Sequence, residues 1–80
     1  MKNRPVSNYQ QTRIKSISNY LRNYRIVSGY SQEELCKYLN LHRNTLIRAE
    51  NAENITLLSF LELADTLDID LQEMFAFIEQ

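Results

Sequence analysis

The chain has 80 residues, 44% of them apolar and 24% charged, and holds one glycine and one proline. This length and composition predict one helical domain rather than a disordered chain or a turn-rich β-sandwich, and a single cysteine with a single histidine excludes an internal disulfide and a structural zinc site. The formal net charge of −1 is unevenly divided: residues 1–48 hold nine basic and two acidic residues, a net +7, whereas residues 49–80 hold eight acidic residues and no Lys or Arg.

This division of charge bears on the class of partner. The basic part can attract a polyanion such as DNA while the acidic part repels it, although two solvated faces would give the same pattern. No apolar run approaches the length of a membrane span and no secretory leader is recognised, so we expect a cytoplasmic location and no membrane partner.

The first predicted helix runs from about Gln10 to Ser28. Residues 1–9 are polar and contain the only proline, so we expect a flexible arm there and the domain at residues 10–80. Gly29 then suits a helix end, because glycine readily adopts the left-handed conformation. The apolar residues that recur at helical spacing are Ile14, Ile17, Leu21 and Tyr24.

Two short helices are expected next. The sequence at 31–34, Ser-Gln-Glu-Glu, is a capping box that begins the second helix, and Asn40, which tolerates positive φ, follows its end. The third helix runs over about 43–51, with Leu46 and Ala49 facing inward. A helix with so few apolar anchors is expected to matter for the polar side chains that it presents.

Two more helices are predicted in the acidic part of the chain. Thr56 can cap the fourth, and Asp70 with Glu73 repeats the capping-box pattern at the fifth. The fifth helix carries more large apolar side chains than one small domain can cover, so part of this set is expected to form a two-fold dimer contact. The apolar residues of the fourth helix are Leu57, Leu61, Ala64 and Leu67, and those of the fifth are Leu71, Met74, Phe75, Phe77 and Ile78.

The segment 31–50, SQEELCKYLNLHRNTLIRAE, reads as two short helices around a tight turn, and it resembles the helix-turn-helix of the Cro and C1 type of phage repressors, the XRE family. The similarity runs from about Ile17 to Phe75. It implies an all-α, five-helix lambda-repressor-like DNA-binding domain whose helix-turn-helix spans 31–51. The residues that carry it are Ser31-Gln32-Glu33-Glu34-Leu35, Leu39-Asn40-Leu41, the run from Arg43 to Asn51, and Leu67-Asp68-Ile69-Asp70-Leu71.

The chain departs from the family pattern at three places. Asn40 stands in the turn where most relatives have glycine, and Cys36 stands where a small residue such as alanine is usual. In the family the third helix is the recognition helix, which enters the DNA groove. Relatives often carry Lys or Arg for phosphate in the loop after it, whereas this chain has Asn-Ala-Glu-Asn at 51–54. That loop is left with backbone amides and Asn side chains for phosphate.

The resemblance implies base contacts from the exposed side of the third helix. Arg43 and Arg48 can each donate two hydrogen bonds to a guanine, and Asn44 can both donate to and accept from an adenine. Arg48 can alternatively reach a phosphate. The residues expected to contact phosphate are Gln32, His42, Thr45 and Asn51.

Several of these positions have an alternative role. Gln32 can bind phosphate at the start of its helix or act only as a capping residue, and His42 can donate to phosphate or be an ordinary surface histidine. Arg25 and Glu50 resemble a pair that in relatives joins the first helix to the end of the recognition helix by a partly buried ion pair, the alternative being a direct contact from Arg25 to phosphate.

The function expected from these residues is a dimeric repressor-type regulator of double-stranded DNA that reads a palindromic operator. Controller proteins of restriction-modification systems would use the same residues, and an antitoxin-like module, whose acidic half neutralises a protein partner, is the alternative. With no set of residues that could assemble an active site, we expect no enzyme, no cofactor, no metal and no small-molecule substrate.

Overall fold

A computed structural model describes residues 7–39 and 41–79. This part of the chain forms five α-helices and no strand, which confirms the all-α, five-helix prediction. The helices are α1 (Asn8–Val27), α2 (Gln32–Leu39), α3 (Arg43–Glu50), α4 (Leu57–Thr66) and α5 (Leu71–Ile78). None of them is long and apolar enough to cross a bilayer.

The first helix begins two residues before its predicted start, because Ser7 caps it. The Ser7 hydroxyl accepts a hydrogen bond from the amide of Gln10 at 3.2 Å. Ser7, Asn8 and Tyr9 of the predicted arm therefore cap or belong to α1, and residues 1–6 lie outside the described residues. The helix ends at Val27, and Gly29, which follows the Ser28 cap, adopts a φ of +85°, as expected for a residue that stops a helix.

Local capping explains where the next helices begin. At α2 the capping box is reciprocal, since the Ser31 hydroxyl accepts from the Glu34 amide and the Glu34 carboxylate accepts from the Ser31 amide, both at 3.1 Å. Thr56 caps α4 by accepting from the Ser59 amide at 3.1 Å. Asp70 caps α5 on its own, because its carboxylate accepts from two amides of the first turn, at 2.9 and 3.2 Å.

One hydrophobic core joins all five helices. Four side chains are less than 2% exposed, one from each of α2 to α5, and Leu21 of α1 lies beside them. Burying a side chain of this size contributes about 1.5–3 kcal/mol. The four are Leu35, Leu46, Leu63 and Met74.

The predicted apolar face of α4 is partly wrong. Ala64 and Leu67 are buried as expected, whereas Leu57 is 70% exposed and Leu61 is 42% exposed. The helix is turned so that Leu63 occupies the core. Leu57 and Leu61 are therefore apolar side chains of α4 that contact solvent instead of the core.

Candidate nucleic-acid interface

The recognition helix predicted from the sequence is α3, and its start is built by His42. The imidazole Nδ1 accepts from the amide of Asn44 at 3.2 Å, so Nε2 is the ring nitrogen that carries the proton and points away from the cap. Leu46 and Ala49 are buried beneath the helix, as predicted. Asn40, which precedes it in the sequence, lies outside the described residues.

The three residues predicted to contact bases share the exposed surface of α3. Arg43, Asn44 and Arg48 are all exposed, with Thr45 and Ile47 half-buried beside them. Arg48 is also tied to the following loop, because its Nη2 donates to the backbone oxygen of Asn54 at 2.9 Å. This leaves the guanidinium of Arg43 as the freer of the two.

The end of α3 is held by a buried network centred on Glu50. Arg25 donates to both carboxylate oxygens, from Nε at 2.6 Å and from Nη2 at 3.0 Å, and the two side chains are 11% and 4% exposed. Its Nη1 donates to the backbone oxygen of Tyr30 at 2.8 Å. Gln32 adds a third hydrogen bond to Glu50, from Nε2 at 3.0 Å. The network therefore links α1, the turn after it, α2 and α3.

Two of these contacts were not expected from the sequence. The resemblance pointed to Arg25 and Glu50, but not to Gln32 or the carbonyl of Tyr30. Gln32 lies 18 positions from Glu50, so no local pattern of residues indicates the contact. The contact depends on the tertiary packing of the start of α2 against the end of α3.

A groove of about 560 Å³ opens at the junction of α1, α2 and α3. Arg25 and Glu50 neutralise each other within it, whereas Arg22 and Arg43 are exposed and form no ion pair within residues 7–39 and 41–79. Glu33 at the rim is itself paired with Lys37. Such a groove favours an anion. Its lining is Arg22, Arg25, Ser31, Gln32, Glu33, Arg43, Glu50 and Asn51.

The loop after α3 has an unusual backbone conformation. Asn51 caps the helix and is exposed, and Ala52 adopts a φ of +59°, in the left-handed region. The Ala52 amide donates to the hydroxyl of the buried Ser18 in α1, at 3.1 Å. This hydrogen bond fastens the loop to the middle of α1.

The structure separates the five residues predicted for a dimer contact. Met74 is fully buried in the core of its own chain, and Leu71 and Ile78 are half-buried against that core. Phe75 is 42% exposed and Phe77 is 61% exposed. Met74 therefore has no surface to offer a partner, whereas the two phenylalanines do.

An apolar groove that the sequence did not indicate lies beside Phe75. It has a volume of about 340 Å³, and Leu57 lines it together with Phe75. Glu53 is the one charged residue of its lining. The exposure of Leu57 could not be read from the helical spacing of α4, which gave it the same face as Ala64.

The geometry described above agrees with a comparison against known families. A family model described as helix-turn-helix, of the Cro/C1 type, matches residues 21–74, which is more than half of the chain. No curated protein sequence matches the chain. The match includes α2, α3 and the buried residues that hold them, and the expected family is confirmed. The chain belongs to the Cro/C1-type helix-turn-helix family, the XRE family of DNA-binding transcriptional regulators.

Proposed function

We propose that the chain is a dimeric, sequence-specific regulator of repressor type that reads a palindromic operator through α3. The observation that carries this proposal is the exposed side of α3, where Arg43, Asn44 and Arg48 stand over a buried apolar side. Arg43 is the principal base reader, because no other group in the described part of the chain holds its forked donors. Asn44 reads an adenine beside it, and Arg48 reads a second base from its anchor on the loop.

Phosphate contacts from Gln32, His42, Thr45 and Asn51 would fix the register of α3 on the duplex. The amide group of Gln32 has two N–H donors, and one of them remains for phosphate after the contact with Glu50. The Nε2–H of His42 is likewise left to donate outward. The Arg25–Glu50 pair acts behind these residues by fixing the angle of the recognition helix.

The dimer contact is proposed to involve Phe75 and the exposed Leu57, which line one groove, with Leu71, Ile78 and Phe77, which packs on the ring of Tyr20, at its edge. Exposed apolar side chains of this size on neighbouring helices are the usual sign of an interface. A two-fold dimer would set two copies of α3 about 34 Å apart, one turn of DNA. Both copies would present acidic halves to each other, so dimerisation is expected to strengthen as salt screens their repulsion.

The experiment for DNA recognition is selection from a pool of random duplexes, followed by fluorescence anisotropy at several salt concentrations. A palindromic site whose affinity falls as salt rises is the expected result. Arg43→Ala should lose discrimination at one base pair, worth about 1–3 kcal/mol, whereas Gln32→Ala should weaken matched and mismatched duplexes alike. Equal losses on both duplexes for Arg43→Ala would contradict the base-reading role.

The dimer is tested by sedimentation equilibrium. Phe75→Ser and Phe77→Ser should each weaken self-association, whereas Tyr38→Ser should not, because Tyr38 is likewise exposed, at 70%, but lies on α2 rather than on α4 or α5. A wild-type chain that remains monomeric on the selected operator would overturn the proposal of a dimer.

An antitoxin-like interaction module is the second candidate function. The observation that favours it is an apolar and acidic pocket of about 290 Å³ between α4 and the start of α5. The lining of this pocket is Leu61, Glu62, Asp65, Ile69 and Leu71. A basic polypeptide that co-purifies from the native host, and is lost with Leu61→Asp, would support this function, whereas tight operator binding by the isolated chain favours the repressor.

A further inference from the structure

Helix α1 carries a polar and basic stripe, of which only Arg22 lines the groove beside α3. Gln11, Lys15, Ser18 and Arg22 recur at i, i+4, i+7 and i+11, which puts them on one face of the helix. Lys15 and Arg22 are exposed, and Ser18 between them is only 4% exposed. The stripe is therefore a pair of free cations on either side of a buried hydroxyl.

Two contacts locate this stripe beside α3. Ser18 accepts the hydrogen bond from the Ala52 amide at 3.1 Å, which places the centre of the stripe against the loop that follows the recognition helix. Arg22 lines the same 560 Å³ groove as Arg43 and Asn51. The stripe consequently borders the surface that holds the exposed side of α3.

The charges around this border are unequal. The loop at 51–54 contains Glu53 and no basic residue, so it offers no cation of its own. Within the described part of α1, the ion pairs are those of Arg13 with Glu79 and of Arg25 with Glu50. Lys15 and Arg22 form no ion pair among the described residues, so both cations are available to an anionic ligand.

We propose that Lys15 and Arg22 bind backbone phosphates of the DNA, on the side of α3 where the loop lacks a cation. This inference rests on the proposed function, since it adds contacts to the same DNA-binding surface. A helical rise of about 1.5 Å per residue separates the two positions by about 10 Å, so the side chains hold two phosphates rather than one. The Ser18–Ala52 hydrogen bond fixes α1 to the loop at the end of α3. Phosphates bound by the stripe on α1 therefore help to set the position of the recognition helix on the duplex.

The experiment measures the salt dependence of binding for Lys15→Gln, Arg22→Gln and the double variant, by anisotropy on the selected duplex and on a mismatched one. Each phosphate contact contributes about 0.9 to the slope of log K against log salt concentration. Each single variant should lower the slope by about 0.9, and the double variant by about 1.8. The loss of affinity caused by one substitution should shrink about 3.5-fold between 50 and 200 mM salt, and should be equal on both duplexes.

Arg13→Gln is the matched control. It removes the same charge from the same helix, but Arg13 is paired with Glu79 and lies off the stripe, so the salt slope should stay that of the wild type. A thermal melt of each variant checks that the fold is retained, as expected for exposed positions. If the wild type binds its site and the double variant keeps the full slope, the inference is wrong while the DNA-binding function stands. A loss confined to the matched duplex would make the two residues base readers and would also overturn it. Failure of the wild type to bind DNA would overturn both.

Discussion

Removal of Glu50 should destabilise the domain far more than the loss of an ordinary surface carboxylate. The Glu50 side chain is 4% exposed and accepts three hydrogen bonds, two from Arg25 and one from Gln32. Glu50→Leu fills the space but leaves the guanidinium of Arg25 in a site that is 11% exposed, where the Tyr30 carbonyl is its one remaining acceptor among the described residues. Leaving one partner of a buried ion pair uncompensated costs about 3–5 kcal/mol.

The assays are thermal and urea denaturation, both followed by circular dichroism at helical wavelengths. A loss of about 3 kcal/mol corresponds to a decrease in Tm of about 12–24 °C for a domain of this size. The double variant Arg25→Met with Glu50→Leu should recover much of the loss, because neither charge is then left alone. Glu33→Leu, which removes one partner of an exposed pair 3.6 Å apart, is the control and should cost about 0–0.5 kcal/mol.

The result that would refute this reasoning is a Glu50→Leu variant as stable as the Glu33→Leu control. Additive losses in the double variant would refute it as well, since they would mean that Arg25 and Glu50 act independently. Retained stability with lost operator affinity would instead assign the network to orientation of α3 alone.

Three further predictions concern the backbone and the charges near the interface. Ala52→Gly should raise the free energy of unfolding by about 0.5–1 kcal/mol, since glycine relieves the left-handed strain at φ +59° at a smaller entropic cost, and a loss in urea denaturation would contradict this. Glu53→Lys should steepen the salt slope of DNA binding by about 0.9, because it adds a cation to the loop; an unchanged slope in anisotropy would mean that the loop does not approach DNA. The hydrogen bonds from Ser31 lower the pKa of Glu34 below its ordinary value of 4.5, so Glu34 adds stability above that pH and loses it as pH falls through the lowered pKa. The stability difference between wild type and Glu34→Gln should therefore shrink on acidification, and a difference that grows in acid melts would oppose the capping role.

The helix boundaries were the part of the fold that the sequence predicted well, because they depend on neighbours in the chain. The capping box at Ser31 and Glu34, the cap at Thr56 and the stop at Gly29 each involve residues three or four positions apart. Hydrogen bonds of such short range are set by local sequence alone.

The burial of individual apolar residues was predicted less well. Helical spacing identified an apolar face on α4 and α5, but it could not tell that Met74 fills the core while Leu57 remains in solvent. That distinction depends on the rotation of each helix against its neighbours, which is set by packing. For the same reason, Gln32 was assigned to phosphate without its hydrogen bond to Glu50.

The burial of Cys36 has a chemical consequence. Cys36 is 8% exposed within α2, and burial raises the pKa of its thiol, so little of it is present as the reactive thiolate. Cys36 behaves as a small apolar residue in the core. We expect DNA binding to be insensitive to mild oxidants for this reason.

Helix α1 runs along most of the length of the domain and contacts both of its halves. Its 20 residues span about 30 Å, close to the longest dimension of the described part, which is 36 Å. It packs against α3, which carries the candidate nucleic-acid interface, and against α5, which belongs to the acidic half of the chain. Neither region can open far without loosening the same helix, so amide exchange in the middle of α1 is expected to report the unfolding of the whole domain rather than of one part.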